Sequence, residues 1–153
     1  MVTYIMWQGP TTNGLSGPPL ATGPNASLYP WSQRRLQLNP SHPSPFPRYG
    51  HAANSLSSKE GDIYLMGGLI RSQTVRGDLW IVEAGGGTLS CYPLNTTPEG
   101  PGPRVGHSSL LVGNAFIVYG GDTKMDDRDV LDNNLYLLNT CACPFEFLVL
   151  KCR

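Results

Sequence analysis

Charge is scarce in this chain. Only 14% of its 153 residues are Asp, Glu, Lys or Arg, and eleven of each sign cancel to a formal charge of zero. That removes the dense basic surface expected of nucleic-acid or anionic-membrane binders. Long hydrophobic runs are missing too, none approaching the ~20 apolar residues of a membrane-crossing helix. The opening MVTYIMWQG has no basic leader and no proper apolar core, so it does not read as a secretory signal and a cytoplasmic chain is expected. No stretch keeps apolar residues at helical spacing. Cysteine is sparse: Cys91, Cys141, Cys143 and Cys152 form neither a disulfide framework nor paired zinc ligands, so free thiols and no metal or other cofactor are expected.

Glycine and proline are abundant instead, 32 of 153 residues together. Such a fraction suits many short strands joined by tight turns, and an all-β fold follows. Residues 1–46 hold eight prolines, four glycines and no acidic residue. Within them, 1–28 is expected to be disordered, and 29–46 divides into an isolated strand, YPWSQRRLQL, and a proline-rich lead-in. PSHPSPFP from Pro40 could offer a polyproline II ligand to an SH3 or WW domain, or be a solvated lead-in; composition favours the latter. From Pro47 onward, apolar runs of four to six residues alternate with Gly, Pro, Asn and Asp. HAANSLS, DIYLM, DLWIVE and TLSCYPL are the first four candidate strands.

PRYGH at Pro47–His51 returns as PRVGH at Pro103–His107. DLW at Asp78–Trp80 returns as NLY at Asn134–Tyr136 with the same offset, and Gly67-Gly68 as Gly120-Gly121 at a slightly shorter one. Three anchors in one order define a repeat, with the difference in length absorbed by loops. Each unit reads as turn, strand, strand ending in Gly-Gly, variable loop, aromatic strand and fourth strand, which is a four-stranded propeller blade. Residues 47–102 form the first blade and 103–140 an incomplete second, with 141–153 an atypical, apolar tail. Phe145–Leu150 stands at the repeat offset from Leu89–Leu94 and is a makeshift candidate for the missing strand.

PRYGH…LMGG…DLW and PRVGH…VYGG…NLY resemble kelch repeats, with their di-glycine and spaced aromatics. YPWSQRRLQL followed by PFPRYGHAAN and GDIYLMGGL resembles, more narrowly, the amino-terminal kelch region of fungal cell-end marker proteins. The fold implied is a partial kelch β-propeller of about two four-stranded antiparallel blades, the chain being a truncated fragment. The resemblance further implies that the Trp31 strand closes a complete ring as the last blade's fourth strand. It also implies a non-enzymatic scaffold in cell polarity, placed at the cell tip or cortex, whose partners are polarity, microtubule-tip or actin-associated proteins. The alternatives are a fragment of a kelch-fold enzyme of oxidase or specifier type, or a product with no independent function.

Duplication decides how the conspicuous side chains are read. A catalytic His51 with Arg48 needs unlike partners at one place, not a second copy further along the chain. Arg48, Gly50, His51, Gly67, Gly68 and Trp80 in the first blade, and Arg104, Gly106, His107, Gly120, Gly121 and Tyr136 in the second, are therefore assigned to architecture. The arginines are expected to bond carbonyls or carboxylates between blades. Gly85–Gly87 lacks the following helix of a phosphate loop and reads as a hairpin. The acidic stretch from Gly121 lacks calcium-loop spacing. Its Lys124, Asp126, Asp127, Arg128 and Asp129, with Arg71–Arg76, are the candidate partner-binding loops. Two blades leave apolar faces that a full ring would cover, so self-association is expected.

Overall fold

The structure, a computed structural model, describes residues 4–8, 31–55, 62–71, 74–83, 89–97, 100–123, 132–142 and 144–151. All its regular elements are strands: β1 (Tyr4–Gln8), β2 (Trp31–Leu38), β3 (Arg48–Tyr49), β4 (Ala52–Ser55), β5 (Ile63–Ile70), β6 (Val75–Glu83), β7 (Leu89–Leu94), β8 (Ser108–Val112), β9 (Ala115–Tyr119), β10 (Asn134–Asn139) and β11 (Phe147–Lys151). They form two sheets. The first runs β1-β2-β7-β6-β5, with β3 and β4 both on the free edge of β5, and the second runs β11-β10-β9-β8.

At the centre of each sheet is an antiparallel four-strand meander, β4 to β7 and β8 to β11, and the two share one register. Leu79 pairs with Leu94 and Val82 with Cys91, while at the equivalent positions of the second repeat Leu135 pairs with Leu150 and Leu138 with Phe147. Leu65 opposite Trp80 likewise becomes Val118 opposite Tyr136. The second sheet therefore has its fourth strand. The boundary at 140 set residues 141–153 apart, yet Phe147–Lys151 belongs to this sheet because its leucines and valine suit a pleated strand and fall in the repeated register.

β5 reads as an unbroken apolar run because it is covered on both faces. On one, Tyr64 and Met66 join Leu79 and Ile81 in a core completed by Phe116, Val118, Tyr136, Leu138 and Phe147 of the second sheet. On the other, Leu65 packs with Trp80, Val82, Leu89, Cys91 and Leu36, flanked by Phe46. β2 does not close another blade here. It lies parallel to β7, Leu36 opposite Leu89, where it satisfies an open backbone edge and buries Leu36. β1 pairs antiparallel with β2, so disorder over 1–28 does not extend to Tyr4–Gln8. The rest of 1–28 and Gly85–Gly87 lie outside the described residues. The lead-in is anchored rather than wholly solvated, for Pro45 is buried while Ser41 to Ser44 are exposed.

The ladder between β5 and β6 shifts between Met66 and Gly68, at the di-glycine. Gly67 and Gly68 have φ of 63° and 91°, and Gly120 and Gly121 repeat this at 70° and 88°. A Cβ on Gly68 would lie 2.8 Å from the Tyr49 carbonyl oxygen and 2.9 Å from His51, and one on Gly121 2.7 Å from the His107 Cβ. The second glycine of each pair thus makes room for its own blade's turn. Gly68→Ala is expected to cost about 2–3 kcal/mol, combining positive-φ strain with the clash. Gly102→Ala, also at positive φ but with nothing within 4 Å, is expected to cost about 1 kcal/mol. Equal losses in urea unfolding would contradict the close-approach explanation.

Candidate functional site

The repeated turn places an arginine inside each sheet. Arg48 donates through Nη1 to Asp78 Oδ1 at 2.9 Å and through Nη2 to Asp78 Oδ2 at 3.0 Å. It also donates to the carbonyls of Gly67 at 2.8 Å and Pro45 at 2.5 Å. The Trp80 indole N–H reaches the same carboxylate, 2.7 Å from Asp78 Oδ2. Arg104 repeats the arrangement, donating to Gly120 O at 2.7 Å, Pro101 O at 3.0 Å and Asp132 Oδ2 at 2.9 Å. The Tyr136 hydroxyl donates to Asp132 Oδ2 at 2.8 Å, and its ring lies 5.0 Å from the Arg104 guanidinium carbon.

Both carboxylates are held ionised. Burial acts to raise their pKa values, but it is outweighed. At Asp78 the bonds from Arg48 and Trp80 and the charges of Arg48 and Arg76 push the value below the ordinary carboxylate range. At Asp132 the Asn134 N–H, Arg104 and Tyr136 do the same. Each arginine side chain is only 1% exposed, so it depends on its carboxylate for charge balance.

The arginine side chains bond the carboxylate of their own sheet and the carbonyl three residues before them, Pro101 O lying in the stretch that joins the two sheets. Backbone groups make the seam: Gly68 N–H donates to Arg104 O at 2.8 Å, Arg104 N–H to Arg76 O at 3.1 Å, and Gly106 N–H to Gly50 O at 2.8 Å. Asn54 Nδ2 also bonds Ser109 Oγ across the inner strands. His51 and His107 directly precede β4 and β8. The His107 ring enters the hollow of Gly67, its Cε1 2.9 Å from where a Cβ would stand. Burial, then the charge of Arg104 and least of all that of His51, push His107 down to about 4, against an opposing effect from the Met66 backbone. Neither ring nitrogen has a protein partner in good hydrogen-bond geometry. His51 is lowered by burial and Arg48.

Sequence reasoning missed both carboxylates as arginine partners. The repeat offset aligns Asp78 with Asn134, while the functional counterpart is Asp132, two positions earlier. The shared aromatic donor was the available signal. Asp132, grouped with the acidic loop by composition, is thereby part of the sheet. Lys124, Asp126, Asp127, Arg128 and Asp129 lie outside the described residues. Arg71 and Arg76 are described and exposed. The thiol of Cys91 is buried, which pushes it up to about 11, and Cys141 is exposed and free. Among the described residues no group of three or more His, Cys, Asp or Glu is placed to hold a metal.

Two four-stranded meanders, each opened by the same arginine turn and carrying the same positive-φ di-glycine, define a protein of propeller-type blades. No protein-family model matches the chain. It is 38% identical over 128 residues to tip elongation aberrant protein 1 of Schizosaccharomyces pombe, covering 84% of this chain and 11% of that one. It is 37% identical over 118 residues to Kelch repeat-containing protein 2 of Saccharomyces cerevisiae, covering 75% and 13%. Host cell factor of Drosophila melanogaster is 37% identical over 105 residues, covering 65% and 7%. The chain belongs to the kelch-repeat family. It spans about a tenth of the length of the two fungal relatives.

Asp132→Asn, which leaves the Arg104 charge uncompensated, is expected to destabilise by roughly 3 kcal/mol in urea unfolding. A loss below about 1 kcal/mol, typical of an exposed pair, would show that Arg104 needs no counter-charge. His107 is neutral in the fold, whereas the unfolded chain binds a proton near the ordinary value of 6.5. Its contribution is therefore complete above about pH 6.5 and lost as pH falls towards about 4. Thermal midpoints should drop by several degrees over that window, and His107→Asn should flatten the drop. An unchanged slope in the variant would assign the effect elsewhere. Losses below about pH 4 belong to Asp78 and Asp132, whose lowered pKa values make protonation costly there.

Proposed function

We propose that this chain is part of a non-enzymatic kelch-repeat scaffold that binds proteins in polarised growth at fungal cell ends. The observation that carries this reading is the similarity over 84% of the chain to a protein named for aberrant tip elongation. The structure is compatible with it. The duplicated arginines and their carboxylates are occupied by each other and by backbone carbonyls, which suits architecture rather than turnover. Recognition then falls to the segments between strands, where repeat scaffolds carry their specificity.

The connection from β9 to β10 is the leading candidate, with Lys124, Asp126, Asp127, Arg128 and Asp129 as its charged residues. The shorter stretch from Arg71 to Arg76, which joins β5 to β6 and includes the first two residues of β6, is the second. The partners would be other cell-end factors, including microtubule-tip or actin-associated proteins, and the site of action the cytoplasmic face of the tip or cortex. Among the described residues no helix is long and apolar enough to cross a membrane.

A fluorescent fusion of the chain in fission yeast is expected to concentrate at growing ends. Reversing the charge of Asp126, Asp127 and Asp129 together should disperse it and reduce recovery of the same partners by about tenfold or more in pull-downs, without changing the melting temperature. Even distribution of the unaltered fusion would overturn the polarity reading. Unchanged recovery from the variant would remove this loop as the binding surface.

A further inference from the structure

Most of what the sequence singles out is repeated and architectural, so a separate role is to be sought where a group is exposed and unrepeated. The stretch that joins β5 to β6 holds such a group. Thr74 is exposed, with Arg71 exposed before it and Arg76, its side chain 44% exposed, after it. Neither Thr74 nor Arg76 is a blade marker, for Val130 and Asp132 stand at the repeat offset from them. The joint between the two sheets does not cover Thr74 either. It uses the Gly68 N–H, the Gly50 carbonyl and the Asn54 side chain and, among the described residues of this stretch, the Arg76 carbonyl. By the same repeat, a blade before the first would be joined through the turn at Arg48–Gly50, the copy of Arg104–Gly106, rather than through Thr74.

Arg71 stands three residues before Thr74, and no other serine or threonine in the sequence has an arginine or lysine at that spacing. No Asp or Glu lies between Arg71 and Arg76. A hydroxyl flanked by two cations, with no carboxylate among them, suits an enzyme whose peptide groove is acidic. We propose that Thr74 is a phosphorylation site for a basophilic serine/threonine kinase, and that Arg76 holds the resulting phosphate. Thr74 directly precedes β6 and Arg76 is the second residue of that strand, so their side chains leave the same face, about 7 Å apart at the backbone. An arginine spans that gap and offers its forked donors to phosphate oxygens. Arg76 is less committed than Arg48. Its Nε stands 4.0 Å from Asp78 Oδ2, a carboxylate that Arg48 and Trp80 already bond at 2.7 to 3.0 Å.

The reaction moves the γ-phosphoryl group of ATP to Thr74 Oγ1. The bond from that phosphorus to the β–γ bridging oxygen breaks, an Oγ1–P bond forms, the hydroxyl proton passes to the kinase's catalytic carboxylate, and ADP leaves. Among the described residues one backbone bond outside the ladder closes the stretch, Ile70 N–H to Thr74 O at 3.2 Å, so little of the sheet has to open for a kinase to take it. The phosphate carries about −1.5 to −2 charges at neutral pH, which brings the two positive charges of Arg71–Arg76 to near zero. Resting on the reading of this stretch as a binding loop, the modification weakens its hold on an acidic partner segment.

Incubating the folded 153-residue chain with ATP and the catalytic subunit of cyclic-AMP-dependent protein kinase, a basophilic probe, and mapping its sites by mass spectrometry tests this. The expected result is a phosphoryl group on Thr74, added about tenfold or more slowly to Arg71→Ala and absent from Thr74→Ala, both variants keeping the native melting temperature. In phosphorus NMR the phosphothreonine should titrate about half a unit or more below its ordinary midpoint near 6, and Arg76→Gln should restore that midpoint. A folded chain left unlabelled, labelling confined to other residues, an Arg71→Ala chain labelled as fast, or labelling of Thr74 only after urea unfolding would overturn the site. A midpoint that Arg76→Gln leaves in place would overturn the Arg76 contact. Partner recovery unchanged by Thr74→Glu in pull-downs would overturn the effect on binding. The kinase and titration results do not depend on where the chain concentrates in a cell, so the site and the polarity reading can fail separately.

Discussion

A buried guanidinium organises each half of this molecule. Arginine cannot shed its proton at any ordinary pH, so enclosing it requires a carboxylate and several fixed acceptors. In the second sheet Arg104, completely buried, obtains them from Asp132, Gly120 O and Pro101 O. Those three acceptors lie on the loop into β10, the end of β9 and the chain before the turn. One side chain thus draws three separate segments to a point. Tyr136 then bonds the same carboxylate, which ties the aromatic strand to the turn. The first sheet meets the same demand through Arg48, Asp78, Gly67 O, Pro45 O and Trp80.

The glycine pair follows from that constraint. To present the Gly67 carbonyl to Arg48 and the Gly68 N–H to the Arg104 carbonyl, consecutive residues must take positive φ beside a histidine. Only glycine does so without a clashing Cβ. The seam is consequently made by backbone atoms that sequence change elsewhere leaves in place. His107 fills the hollow at Gly67, and its burial keeps it neutral next to a permanent cation. The same repeat therefore supplies both the interior of each sheet and the joint between them.

Much of this was legible in the residues. Repeated PR-x-GH, Gly-Gly and aromatic anchors marked the blades, and alternation with turn residues located β4 to β7 close to where they stand. The arginine partners were less legible, because ion pairing is set by where a carboxylate comes to rest rather than by its offset. Asp132 reaches Arg104 from two positions earlier than Asp78 reaches Arg48, and the segment before β10 is longer than the one before β6. β11 was obscured by composition. FLVLK looks unlike LSCYPL because it is apolar on both sides, yet its pairing with β10 reproduces that of β7 with β6. The parallel placing of β2 could not be read at all, as only an edge left open by the folded sheet determines it.

The same accounting bears on where function can reside. Asp78 and Asp132 each accept from an arginine and an aromatic donor, and the arginines spend their donors on fixed carbonyls. Groups so committed have little capacity left for a ligand, and altering them would disturb the fold before it altered specificity. The strands flanking the β9–β10 and β5–β6 connections are fixed by ladder pairing and by the seam, so each connection can vary in length and charge between fixed ends. A rigid joint of backbone bonds with variable, charged connections is the division of labour by which a repeat scaffold keeps its shape while its partners differ.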